Sequence, residues 1–195
     1  DIQNAGVTIE IHGILEDKEI DNLLRERKID YLGKFSETRK IKKEFYFATA
    51  IGNSKNYKIK RNIIQKLGID KSRFPRLIHP SCIISKNAKI DEGVVIHGNS
   101  YIGFGANIKK MSIILPNNYI GHHSSIGSYS IINAGCKIAG NVKIYRDCYL
   151  GSGVCVKEYV KIRSGILVGM DGLVTKDLNE SGIYYGNPVK FRKKK

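Results

Sequence analysis

From Ile84 to Val174 every sixth residue is a branched aliphatic, sixteen positions in succession without a break. A period of six matches neither the 3.6 of an α-helix nor the 2 of a strand, and a fixed sequence period marks a stacked repeat. The physical reading is a short strand and a turn per hexad and three hexads per coil. Coils then stack so that each aliphatic rung sits on the one three hexads later, and the rungs fill the interior of a triangular prism of about five coils. Residues two places before a rung are mostly small, as at Ala88, Ser100, Ala106, Ser112 and Ser124, and suit the tight inside of a corner. The residue after a rung is often Gly, as at Gly103, Gly121, Gly127, Gly151 and Gly169, and Gly or Asn tolerates the positive φ of a sharp turn.

Residues 1 to about 77 carry no hexad. Val7 to Ile14 reads as a strand ending at the acidic Glu16-Asp17, and Glu19 to Lys28 as a charged helix. Phe45 to Ile51 reads as a buried strand closed by Gly52-Asn53. Lys58 to Leu67, with Ile59, Ile63, Ile64 and Leu67 on one side, reads as an amphipathic helix ending at Gly68. This order suggests a small open α/β sheet of Rossmann-like type, whose ligands sit beyond the carboxyl ends of the strands. Such a domain normally opens with a strand running into a Gly-rich turn, and that piece is expected to be missing ahead of Asp1. Phe74 to Pro80 links this domain, residues 1–77, to the prism and its extension, residues 78–195, with prolines holding the linker extended.

Thirty-three basic residues against eighteen acidic give a net charge of +15, which favours an anionic partner such as a phosphate-bearing small molecule. The lysines are scattered apart from the tail from Lys190 to Lys195, and they are not interleaved with aromatics as in a nucleic-acid module, so nucleic acid is not expected. Cys82, Cys136 and Cys148 occupy small corner positions, a packing pattern and not a disulfide or metal pattern, and Cys155 stands apart. With no signal peptide and no apolar run of membrane length, a cytoplasmic protein without membrane insertion is expected.

His122 and His123 follow Ile120-Gly121 on an outer turn, where a substrate can reach an imidazole. Around them the hexads join Ala50-Ile51-Gly52-Asn53, Leu77-Ile78-His79-Pro80, Ala139-Gly140-Asn141-Val142 and Gly186-Asn187-Pro188-Val189-Lys190. This set, covering nearly the whole chain, resembles the hexapeptide-repeat sugar acetyltransferases, which include nucleotide-amino-sugar N-acetyltransferases and sialic-acid O-acetyltransferases. The resemblance implies a left-handed parallel β-helix, a sense that the usual right-handed crossover rule would not give. It also implies a homotrimer with its site between two prisms, acetyl-CoA as co-substrate and a nucleotide-linked amino sugar as acceptor.

Carried over by position, His122 matches the general base, whose proton transfer typically contributes on the order of 10²- to 10⁴-fold. The Gly140 N–H matches the donor to the thioester oxygen. Ser152 and Met170 match CoA contacts, and Glu16, Asp17 and Gly52 match nucleotide-sugar contacts. Two departures stand out. His123 occupies the place of the carboxylate that orients the base, so it is a catalytic candidate of altered chemistry. Ile131 occupies a CoA-contacting position where the family often has histidine. With no cysteine in a nucleophile setting, transfer is expected to be direct, in a ternary complex.

Three other readings use the same residues. An O-acetyltransferase on sialic acid would use the same base. A zinc-dependent carbonic anhydrase needs three converging histidines, for which His97, His122 and His123 are the prism candidates, but neighbours on one turn point apart and no metal is expected. A non-catalytic scaffold would account for the charge and for both departures.

Overall fold

The computed structural model describes residues 9–17 and 29–193. Three sheets of parallel two-residue strands wrap the prism that the hexads predict, one of them extended at its end by Ile183–Tyr185 and an antiparallel Lys190–Lys193. Strands such as Tyr101–Ile102, Tyr119–Ile120 and Lys137–Ile138 pair in register, Ile102 on Ile120 on Ile138. Rungs from Ile96 to Val174 are buried in one continuous core, with Ile78, Ile84 and Ile90 partly buried at its open end. The stack begins one hexad before the predicted start, because Leu77–Ile78 of the expected linker is already a strand paired with Val95–Ile96. Past Val174 the phase slips by two residues: Val168 pairs with Tyr184, and a bridge joins Ile162 to Leu178. Leu178, Tyr184 and Val189 close that end of the core.

The small corner residues do more than save space. Ser112, Ser124 and Ser130 each donate a side-chain hydrogen bond to a carbonyl of the next coil, at 2.9, 2.7 and 3.1 Å. Ser124 and Ser130 Oγ also accept the N–H of Val142 and Cys148. Cys136 and Cys148 make the same outward bond through Sγ, and burial pushes both thiols up to about 12, so neither is a nucleophile.

Turn chemistry differs from the expectation in one respect. Positive φ falls on the third residue after a rung, as at Asn117 (61°), His123 (57°) and Asn141 (59°), and not on the residue after it. Gly121, directly after a rung, is needed for another reason: an added Cβ would lie 2.6 Å from the Ala139 carbonyl carbon of the next coil.

The residue before each rung points outward and decides what each face meets. On the first face these residues are Leu77, Val95, Ile113, Ile131, Tyr149, Leu167 and Ile183. The segment before the prism covers this apolar ladder. Tyr57 is fully buried against Ile131 and Leu167, donating its hydroxyl to the Gly165 carbonyl at 3.1 Å, and Ile64 and Phe74 pack with Met111 and Tyr129. The third face carries Lys89, Asn107, Ser125, Lys143 and Lys161 and is polar.

Ahead of the prism, the described residues contain a parallel pair, Ile14–Leu15 with Tyr31–Gly33, and one α-helix, Lys60–Lys66. The expected helix over Glu19–Lys28 lies outside the described residues, and of the strand expected from Val7 to Ile14 only Ile14 is in a strand among the described residues 9–14. Phe45 to Ile51 is not the buried strand predicted: it joins no sheet, Tyr46 is exposed, and a backbone bond from Phe47 N–H to the Arg73 carbonyl anchors it. The helix forms as expected and ends at Gly68 with φ 63°, although Ile59 faces solvent. The start of the basic tail is paired though exposed. Lys190–Lys193 pairs antiparallel with Ile183–Tyr185, and Phe191 packs edge-on against Tyr184.

Lys60 of the helix is completely buried, with Nζ donating to the Met111 carbonyl at 2.7 Å, and burial lowers its pKa from 10.5 to about 7. Between those values the unfolded chain holds a proton that the folded chain lacks, so this group makes stability rise with pH. Denaturation midpoints of the wild type are expected to climb more steeply from about pH 7 to 9 than those of Lys60→Met, and equal slopes would refute the assignment.

Candidate active site

The chain turns from the second face to the third at Gly121-His122-His123. Gly121 lets the turn lie flat on the coil below, and His123 takes the positive φ that histidine tolerates better than most residues. Backbone bonds fix the turn from both sides: His123 N–H donates to the Phe104 carbonyl at 2.8 Å, and Asn141 N–H to the His122 carbonyl at 2.9 Å. Both imidazoles are exposed.

Three predicted residues meet at this corner. His122 Nδ1 lies 3.1 Å from His123 Nδ1. The His122 ring lies over Gly140, where an added Cβ would collide with Nε2 and sit 2.6 Å from Cε1. Gly140 has ordinary backbone angles for a non-glycine residue, so glycine is required here only by the imidazole. Among the described residues no group accepts the Gly140 N–H. Gly140→Ala should therefore fold normally yet displace the His122 ring, read as a shifted His122 imidazole resonance beside an unchanged melting curve.

The second face opens beside this corner. Tyr119, Lys137, Ala139, Cys155, Val156, Lys157 and Leu173 line a largely apolar groove of about 340 Å³. Ser152 and Met170 stand on the opposite edge of the same face, on adjacent coils joined by the Asp171 N–H to the Ser152 carbonyl, and Met170 is 71% exposed. Gly140 and the pair Ser152 and Met170 thus bracket one face. The groove residues were not singled out from the sequence. Their signal was present in the residues before the rungs read at every third hexad, where Tyr101, Tyr119, Lys137, Cys155 and Leu173 fall in one column.

Other predicted positions lie elsewhere. Ile131 cannot serve a cofactor in this fold: it is 2% exposed, beneath Gly52 and Tyr57 on the first face. Gly52 has φ 144° and would drive a Cβ into Ile131, and Asn53 Oδ1 accepts the N–H of Lys55 and Asn56. Asp17 accepts the Phe35 N–H at 2.8 Å, and the Glu16 carbonyl accepts the Tyr31 hydroxyl. His97 sits on the corner between first and second faces, with burial lowering its pKa, and so does not converge with His122 and His123 within one chain. No helix among the described residues is long and apolar enough to cross a membrane.

Stacked hexads with an exposed histidine pair beside an open groove define a hexapeptide-repeat prism with a candidate site on its corner. The chain belongs to the family described as the GMPPB C-terminal domain, whose profile matches residues 73–183, more than half of its length. It is 39% identical over 61 residues to UDP-N-acetylbacillosamine N-acetyltransferase of Bacillus subtilis (strain 168), covering 31% of this chain and 27% of that protein. It is 42% identical over 57 residues to chloramphenicol acetyltransferase of Klebsiella aerogenes, covering 29% and 27%. The matches thus span about a quarter of those curated relatives. The acetyltransferase domain of PglB from Neisseria gonorrhoeae FA1090 in complex with acetyl coenzyme A shares the fold, with a TM-score of 0.79 at 22% identity over 92% of this chain and 85% of that one. The motif resemblance to hexapeptide-repeat sugar acetyltransferases is borne out by these relatives.

Proposed function

We propose that the protein transfers acetyl from acetyl-CoA to the amino group of a nucleotide-linked amino-deoxy sugar, in a ternary complex, as a step of surface-glycan biosynthesis in the cytoplasm. The observation that carries this reading is the His122 imidazole seated on Gly140, whose N–H is unclaimed, at the mouth of the second-face groove. In it, the acceptor nitrogen attacks the thioester carbon and forms the C–N bond, while His122 Nε2 takes the proton. Charge on the carbonyl oxygen meets the Gly140 N–H. The C–S bond then breaks, and the CoA thiolate is protonated to the thiol. Acetyl-CoA is read as lying along the groove towards Ser152 and Met170, with the Lys137 and Lys157 ammonium groups near its phosphates.

The acceptor is read as held by Glu16, Asp17 and Gly52 of the front segment, expected to be Rossmann-like. Gly52 lies against the first face whereas His122 stands between the second and third. That separation favours a homotrimer in which one subunit's front segment serves the next subunit's corner.

The test is thiol release from acetyl-CoA against nucleotide-linked 4-amino and 3-amino sugars, with sialic acid and chloramphenicol alongside. Turnover with one amino sugar supports the reading. Turnover with sialic acid alone would replace it by O-acetyl transfer, and silence throughout would leave the prism a scaffold.

A further inference from the structure

The corner holds two ring nitrogens facing each other, only one of which belongs to the base. His122 Nδ1 and His123 Nδ1 are 3.1 Å apart, with the ring planes at 82°. Two bare lone pairs at that distance repel, so one nitrogen carries a hydrogen and donates it to the other. A neutral pair has two such arrangements. If His123 donates, His122 carries its own hydrogen on Nε2, and the nitrogen over Gly140 has no free lone pair. If His122 donates, its Nε2 is bare and His123 carries its hydrogen on Nε2. Only the second arrangement presents a base.

The coil that carries Phe104 and Gly105 holds His123 in place. Its backbone is fixed at φ 57° by the bond to Phe104, its ring lies edge-on to Phe104 at 5.4 Å, and Gly105 leaves room where an added Cβ would come within 2.8 Å of its Cδ2. The coil above thus holds His123 while His122 lies on the coil below. Along the same corner the ionisable residues are Lys86, Lys157, Glu158, Tyr159, Lys176 and Asp177, with Tyr101, Tyr119 and Lys137 on the second face and Lys89, Lys143 and Lys161 on the third. Among the described residues none of these bonds to either imidazole.

We propose that His123 is the positioning residue for His122: a neutral imidazole whose Nδ1 accepts the His122 Nδ1–H and keeps His122 Nε2 bare over Gly140. It does the orienting work that a carboxylate would do at this position, without a fixed negative charge to stabilise the imidazolium. The kinetic consequence rests on the acetyl-transfer reading; the proton placement does not.

Three substitutions and one spectrum test it. The corner position already accepts Asn at 117 and 141 and Tyr at 129 and 159 with φ between 59° and 65°, so His123→Asn and His123→Phe should fold. The amide oxygen of Asn accepts the Nδ1–H, and Phe keeps the edge contact but accepts nothing. Asn is expected to hold kcat within about threefold and Phe to lose at least about tenfold, with KM for acetyl-CoA steady in both. His123→Asp, which introduces an anion, should move the acid limb of the kcat profile to higher pH. Independently of turnover, ¹⁵N spectra of histidine-labelled wild type at about pH 8 should place the hydrogen on Nδ1 of His122 and on Nε2 of His123. A His122 hydrogen on Nε2, or equal losses for Asn and Phe, would overturn the proposal. Expected tautomers in a protein that turns over no acceptor would retain the pair and discard acetyl transfer.

Discussion

His122→Ala is expected to lower turnover by at least about a hundredfold while leaving the KM for acetyl-CoA within a few-fold. The size follows from what the side chain does. In the proposed reaction the attacking nitrogen is deprotonated in the transition state, so the loss reaches kcat, whereas the groove assigned to CoA is lined by other residues. The fold should not respond, because His122 is exposed and its bond to the next coil, Asn141 N–H to the His122 carbonyl, runs through the backbone. Activity within a few-fold of wild type would remove His122 as the base. Comparing kcat for wild type and variant at saturating acceptor, with circular dichroism to confirm the fold, is sufficient.

Ile126→Ala is expected to cost about 2–5 kcal/mol of stability. Ile126 is completely buried, with Ile108 and Ile144 directly above and below it in register. Coils held in register by backbone bonds on all three faces cannot collapse into the space, so the lost contacts are not regained. The effect should appear as a lowered denaturant midpoint. Because each coil touches only its neighbours, it should also appear as a larger rise in hydrogen exchange in the coils around Ile126 than in the more distant coil that carries Val168. A variant within about 1 kcal/mol of wild type would show that the interior relaxes far more than a closed prism allows.

The prism was legible because its cause is local and repeated. An aliphatic every six residues recruits the same strand and turn each time, and residues three hexads apart meet without any further information. The corner followed in part: His122, His123 and Gly140 were named from their motifs, and the stacking of coils brings them together. The direction of the two Nδ1 atoms was not legible, since it depends on the φ of His123 and the carbonyl of Phe104. Ile131 was misread for a related reason. A rung-adjacent residue can face solvent, a cofactor or another segment, and its hexad position alone does not say which.

By itself, then, the sequence determined the repeat, its phase from Ile84 to Val174 and the chemistry available at the turns, because a six-residue period fixes which side chains point inward. Only the tertiary structure decided what covers each face. Tyr57 reaches Gly165 across 108 residues, Lys60 is buried on Met111, and the coil after Val174 closes two residues short. These contacts have no period, and they form because an apolar outer ladder must be covered by whatever distant part of the chain can bury it.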